Sequence, residues 1–189
     1  MRYEDTVRYL LAATKAEDTL LTEEDCFRRR ENFFCRLCPK ELKEIQYYHV
    51  AGTNGKGSVC ELLRSSLHAH GRCVGTFTSP HLYTIRERIR VGQSLIPRDA
   101  LVRHTMTLQG VFHDNPWLLF FDKLLAIALR FFAEVGIDTL VLEVGIGGKY
   151  DSTNFFRRPA IVSIITSISY DHQELLGDTL EAIAEQKQE

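Results

Sequence analysis

The residues best able to do chemistry stand in the run HVAGTNGKGSVC, residues 49–60. Gly52, Gly55 and Gly57 alternate there with Thr53, Asn54 and Lys56, and Ser58 follows. A β-branched and aromatic stretch, IQYYHVA (45–51), precedes the run, and residues 56–70 after it carry helical spacing up to Gly71. A strand that turns into a helix gathers free backbone N–H groups at one point, and the helix dipole adds partial positive charge. Glycines let the backbone approach phosphate oxygens with no Cβ in the way. Lys56 is placed to reach β- and γ-phosphates, and Ser58 to offer a hydroxyl to Mg²⁺. The usual phosphate loop reads G-x-x-x-x-G-K-[ST]; here Gly57 separates Lys56 from Ser58.

Other polar residues stand at ends of apolar segments. Glu143 closes the buried-strand pattern DTLVLEVG (138–145), where α/β proteins bind ligands and where a carboxylate suits a hard cation or simply caps a loop. His172, next to Asp171, follows the apolar run PAIVSIITSIS (159–169). A serine before proline, as Ser79 before Pro80, is ordinary turn chemistry. Asp151, Thr153 and Asn154 in YDSTN offer hydrogen bonds to a ligand, or to a capped turn. Phe120 and Phe121 beside Asp122 serve equally as core or as a ligand wall, and Lys187 by itself is a surface helix lysine.

These residues need a scaffold, and its elements alternate. Helical spacing covers 3–13, 22–39 behind a Thr22 cap, 98–112 after Pro97, and 118–135 up to Gly136. A last helix follows an Asp178 cap. Strands are expected at 45–51, 72–79, 138–145 and 159–169, with a shorter one at 85–91 before Gly92. Alternating strands and helices predict an α/β fold with a doubly wound, mostly parallel sheet. Residues 1–44 are expected to form a helical N-terminal segment and 45–189 the phosphate-binding domain.

Composition narrows the class. A net charge of -2 over 189 residues gives no reason to expect nucleic-acid binding. No apolar run reaches the roughly 18 residues of a membrane span, and the polar start MRYEDTVRYL is unlike a targeting signal, so a cytoplasmic protein is expected. The five cysteines, an odd number, favour free thiols. CRLC (35–38) lacks a second ligand pair for zinc, and RRR (28–30) reads as a solvated helix face that could also attract phosphate.

The spelling GTNGKGS resembles the ATP loop of the Mur ligase superfamily, and within it that of the folylpolyglutamate synthase and dihydrofolate synthase family. TSPHL (78–82), RERI (86–89), FFDKLLAIA (120–128), LEVGIGGKYDSTN (142–154) and SYDHQELLGDTLEAIAEQK (169–187) resemble further family blocks in chain order. The resemblance implies a Mur ligase central-domain type of fold and ATP-dependent amide formation. A folate carboxylate would be phosphorylated by ATP, and the amino group of glutamate would attack the acyl phosphate. It implies Mg²⁺ ligands at Ser58, Ser79, Glu143 and His172, with Asp171 orienting the histidine ring. It also implies a Lys187 that becomes carbamylated, and substrate contacts from Phe120, Asp122, Asp151, Thr153 and Asn154. Lys56, His172 and Lys187 would carry the catalysis, and Gly52, Thr53, Asn54, Gly55, Lys56, Gly57 and Ser58 would hold ATP.

The partners implied are small molecules: folate, glutamate and ATP. A Leu-Gly-Leu-x-Arg segment, which in the family helps bind dihydropteroate, is absent from 14–44. This favours polyglutamylation of tetrahydrofolate over dihydrofolate synthesis, which stays open as an alternative. Family members continue beyond the residue matching Lys187. The expectation is therefore an incomplete ATPase domain with an unpaired sheet edge and exposed apolar faces, marginally stable or associating. An inactive nucleotide-binding paralogue is the third reading, and the oligomeric state is left undetermined.

Overall fold

The structure, a computed structural model, describes residues 1–12 and 22–188. Part of the segment in which the Leu-Gly-Leu-x-Arg motif was sought, and the end of the first expected helix, lie outside the described residues.

Thirteen labelled elements follow in chain order: α1 Tyr3–Leu11, α2 Glu23–Leu37, β1 Gln46–Ala51, α3 Lys56–Ala69, β2 Val74–Phe77, β3 Ile89–Val91, β4 Ser94–Leu95, α4 Arg98–Asp114, α5 Phe120–Val135, β5 Thr139–Glu143, β6 Val162–Ile165, α6 Gln173–Leu176 and α7 Leu180–Lys187. Strand order in the six-stranded sheet is β4-β3-β2-β5-β1-β6. β1 pairs in parallel with β5 and β6, and β2 with β5, while β3 runs antiparallel to both β2 and β4.

The period-two pattern of β5 divides the core. Leu140 and Leu142 enter the larger cluster, with α5, α4 and the N-terminal helices. Val141 points the other way, to Val50, Val74 and Cys60 beneath α3. Helices thus cover both faces of the sheet, as a doubly wound α/β fold requires. Leu10, Phe34 and Leu42 from the N-terminal segment share the larger core with Leu124 and Phe132, so the described residues of that segment pack as part of the same body.

Local chemistry sets the boundaries. Thr22 caps α2 in a capping box with Asp25, and Gly136 ends α5 at φ +71°. α7 is capped by Thr179, whose side chain accepts the N–H of Ala182 at 3.1 Å, and not by Asp178 as expected. The expected strand 85–91 divides into a 3₁₀ turn, Ile85–Arg88, and β3. Glu87 causes the turn: its carboxylate accepts the N–H groups of Leu82, Tyr83 and Thr84 at 2.8, 3.0 and 2.7 Å. β6 lies at the sheet edge, and Ile161, Val162 and Ile165 are exposed there.

Candidate functional site

The run 52–58 forms the turn between β1 and α3. Gly52 has φ +132°, and a Cβ there would lie 2.0 Å from Thr166 Oγ1, so only glycine fits. Gly55, at φ +86°, precedes the helix, and no side chain caps α3. The first helical bond is from the Val59 N–H to the Gly55 carbonyl, at 3.0 Å. The N–H groups of Lys56, Gly57 and Ser58 precede it and are the orphan donors of a helix start. Such a turn can accept phosphate oxygens.

A strap after β6 fixes the loop. The Thr53 N–H donates to the Ser167 carbonyl at 2.7 Å, and its hydroxyl donates to the Ser169 carbonyl at 3.1 Å. The Asn54 N–H donates to Ser167 Oγ at 3.2 Å, and the Thr166 hydroxyl donates to the Asn54 carbonyl at 2.7 Å. Nothing in the sequence reading singled out Thr166, Ser167 or Ser169. Their signal was a run of small hydroxyl residues at the end of an apolar strand.

Two lysines meet at this loop. Lys56 Nζ donates to the carbonyls of Gly52 and Thr53 at 3.0 and 3.1 Å. Lys187 Nζ donates to the same Gly52 carbonyl at 3.0 Å. Lys187 is buried, not a surface lysine. Burial pushes its ammonium below the usual lysine range, and the charge of Lys56 pushes the same way, against Asp171. Asp171 faces Lys187 and Glu143 faces Lys56, yet two cations converging on one carbonyl still favour an anion between them.

Glu143 ends β5 at 3% exposure, and its Oε2 accepts the Ser79 N–H at 2.9 Å. Burial raises its carboxyl above the ordinary range, opposed by the Ser79 hydrogen bond and by Lys56 and Arg88. A Cβ on Gly57 would lie 3.8 Å from both carboxylate oxygens, so Glu143 sits beneath the start of α3. The structure therefore gathers Gly52–Ser58, Lys187, Glu143 and Ser79.

His172 precedes α6 in a left-handed conformation (φ +47°), and its side chain is 48% exposed. Its Nε2 lies 3.7 Å from Asp171 Oδ2, too long for a hydrogen bond, so Asp171 does not fix the ring as expected. Among the described residues no group of three His, Cys, Asp or Glu could hold a metal ion. One buried carboxylate beside a phosphate loop, with Ser58 and Ser79 near it, still suits Mg²⁺, which takes one or two carboxylates and completes its shell with phosphate oxygens and water. The donor set at Glu143 fits that ion.

Next to Glu143 opens a cleft of about 670 Å³, lined among others by Ser79, Arg88, Phe121, Asp122 and Asp151. Asp122 accepts the Leu119 N–H at 2.8 Å and a hydrogen bond from the Ser152 hydroxyl, with Arg30 at 3.8 Å. Burial raises its carboxyl above the ordinary aspartate range. Asp151 folds the loop after β5: Oδ2 accepts the N–H groups of Gly145 and Ile146, both at 3.0 Å.

Thr153 does not face a ligand. It is fully buried, 2.7 Å from His49 Nε2, and its hydroxyl donates to Asp151 Oδ1 at 2.5 Å. Its place behind the cleft wall corrects the expectation of a substrate contact. Asn154 donates to the Lys149 carbonyl at 3.3 Å and is not among the lining residues. Phe120 lies under Arg88, whose guanidinium carbon is 5.2 Å from the ring centroid, and Phe121 forms the wall instead. Arg88 Nε donates to His81 Nδ1 at 2.9 Å. The sequence reading puts the RERIR run, with Arg88, at the edge of the site, and Arg88 lines the cleft; it reads RRR, with Arg30, as a solvated face, whereas Arg30 lines the cleft beside Asp122.

No family profile matches the chain. Among curated proteins it is similar to a putative folylpolyglutamate synthase of Dictyostelium discoideum, 38% identical over 82% of this chain and 25% of that protein. It is also similar to the dihydrofolate synthase/folylpolyglutamate synthase of Bacillus subtilis, 40% identical over 84% of this chain and 38% of that one. Among solved structures, an FPGS complex with AMPPCP and folate matches at a TM-score of 0.84 and 34% identity, over 99% of this chain and 45% of the other. E. coli FolC in complex with DHPP and ADP matches at 0.79 and 32%, over 99% and 43%. The chain thus spans between a quarter and two fifths of these curated relatives. With the loop spelling, the fold and these relatives in agreement, the chain belongs to the folylpolyglutamate synthase/dihydrofolate synthase family.

Proposed function

We propose that the chain supplies the ATP-binding part of a ligase that adds glutamate to folate, forming polyglutamylated tetrahydrofolate. The observation that carries this reading is the convergence of Lys56 and Lys187 on the carbonyl of Gly52, at the mouth of a glycine loop. An ATP γ-phosphate entering there would take both ammonium groups from the carbonyl, together with the orphan N–H groups of α3. Those donors would stabilise charge on the phosphoryl group as the folate carboxylate attacks the γ-phosphorus and ADP leaves. The amine of glutamate then attacks the acyl carbon of the acyl phosphate, releasing inorganic phosphate and leaving an amide.

Mg²⁺ would be held by Glu143, with the hydroxyls of Ser58 and Ser79, and would offset phosphate charge. Burial and the Lys56 charge favour the neutral amine of Lys187, the form that CO₂ carbamylates. A carbamate there would turn a cation into an anion. The 670 Å³ cleft is assigned to the pterin-bearing substrate, with Phe121 as wall and Asp122, Asp151 and Ser152 as its polar floor. Arg88 at its rim suits the carboxylate.

Among the described residues no helix is long and apolar enough to cross a membrane. A cytoplasmic location belongs to the same reading, although a bovine relative is named mitochondrial. Dihydropteroate is the second substrate reading, favoured by the name of the B. subtilis relative and by the DHPP complex of E. coli FolC. Competition between dihydropteroate and tetrahydrofolate for the chain, with Mg²⁺ and a non-hydrolysable ATP analogue present, tests the assignment. Tetrahydrofolate is expected to bind more tightly. Tighter dihydropteroate binding would reverse the order, and failure of both to bind would remove the cleft from the substrate site.

A further inference from the structure

A second cleft, of about 450 Å³, opens where α2 ends and where the chain leads into β1 and into β6. These are the amino ends of parallel strands, and the phosphate loop lies at the carboxyl end of β1. A six-residue strand spans about 20 Å, so this cleft is well separated from the phosphate loop, while the 670 Å³ cleft, lined by Arg30 and Ser152, draws on the same helix α2 and the same loop after β5.

The composition of this cleft is unusual for a chain whose net charge is -2. Four cations line it: Arg36, Lys43, Arg157 and Arg158. Its one carboxylate, Glu44, pairs with Arg158. Among the described residues no carboxylate pairs with Arg36, Lys43 or Arg157. Asn32, Cys35, Cys38, Phe155 and Phe156 complete the wall. Phe156 stacks on Phe155 at 4.3 Å and 29°, and on Tyr47 at 4.6 Å and 26°. The Tyr47 hydroxyl donates to the Arg158 carbonyl at 2.8 Å, which ties the aromatic stack to the basic segment.

We infer that this cleft is a second ligand site, for a planar aromatic molecule carrying two or more negative charges. Phe155 is buried and Phe156 is already stacked between Phe155 and Tyr47, so the ring would lie on a guanidinium plane at the cleft mouth, and the charged groups would reach the remaining cations among Arg36, Lys43, Arg157 and Arg158. Guanidinium groups pair with carboxylate and phosphate alike, and their planes also stack on rings. Nucleotides and pteroylglutamates both have this chemistry. The inference does not depend on the ligase reading, since it involves none of the residues at the phosphate loop.

Cys35 provides a local reporter. It lines the same cleft, and its thiol donates to the Phe155 carbonyl at 3.3 Å. The experiment measures the rate of Cys35 alkylation by N-ethylmaleimide, mapped by mass spectrometry, with saturating ATP in one arm and folate in the other. Cys73, which does not line the cleft, is the internal control. At least one ligand should slow Cys35 alkylation tenfold or more, in the wild type and equally in Lys56→Ala. Which arm protects identifies the ligand class. Protection should vanish in Arg157→Glu/Arg158→Glu and in Arg36→Glu/Lys43→Glu, two independent pairs of exposed residues. Failure of both ligands to protect, or protection that survives both charge reversals, would overturn the inference. Loss of protection in Lys56→Ala alone would assign the effect to the phosphate loop and overturn it as well.

Discussion

Lys187→Met should stabilise the ligand-free chain, although it removes a residue assigned to the reaction. Lys187 and Lys56 each donate to the Gly52 carbonyl at 3.0 Å. Their nitrogens are therefore within about 6 Å of each other, where an effective dielectric near 20 gives a repulsion of about 3 kcal/mol. Lys56 is partly exposed, so solvent removes a good part of that. Losing the charged hydrogen bond costs roughly 2 kcal/mol. Relief from burying an ammonium adds a comparable favourable amount. The net expectation is a gain of about 1 kcal/mol at pH 7, or about 2–4 °C in Tm for a chain of this size.

The sign with pH follows from the direction of the shift. In the folded chain Lys187 titrates below its ordinary 10.5, because of burial and then Lys56. Its penalty is therefore complete at pH values below the folded-state pKa, and is relieved as pH rises through that value toward 10.5. Urea unfolding of wild type and Lys187→Met in CO₂-free buffer, at pH 7 and near pH 10, reads both effects. The advantage of the variant should shrink at the higher pH. A variant less stable at pH 7, or an advantage that does not change with pH, would refute the reasoning.

Further outcomes follow from the same geometry. Gly52→Ala forces a Cβ to within 2.0 Å of Thr166 Oγ1 at φ +132°, and should cost about 2 kcal/mol or more in thermal unfolding. Thr153→Val removes the hydroxyl between His49 and Asp151 and should cost about 1–3 kcal/mol in urea, whereas a mere ligand contact would cost none. Without ligand, maleimide should modify Cys35 and Cys73 well before Cys38 and Cys60. Burial pushes the Cys38 thiol up to about 11 and raises Cys60 further, and Cys60 is fully buried.

What the sequence showed of this fold was what local chemistry decides. TLVLE alternates in β5 because both sheet faces are covered, and the end of α5 at Gly136 was legible as the one residue at ease at φ +71°. The phosphate loop was legible because its glycines answer a local backbone demand. What was hidden depends on distant partners. The resemblance of YDSTN implies a ligand contact at Thr153, and the residue types alone allow a capped turn equally; neither points to its partner His49, which comes from β1, 104 residues away. The 3₁₀ turn at 85–88 was masked by the alternating pattern of RERIR, and the decisive feature was one carboxylate accepting three N–H groups. Lys187 resembles any helix-face lysine until α7 lays it against the loop after β1.

The most direct test of the central claim is calorimetric titration of Mg·ATP, with and without Lys56→Ala. Both proteins would carry Arg157→Glu/Arg158→Glu, so that only the phosphate loop is read. The account predicts a single site whose affinity falls at least tenfold when Lys56 is lost, the size expected for one charge-assisted phosphate contact worth about 1.5–3 kcal/mol. Equal affinity in the two proteins, or no binding in either, would contradict it.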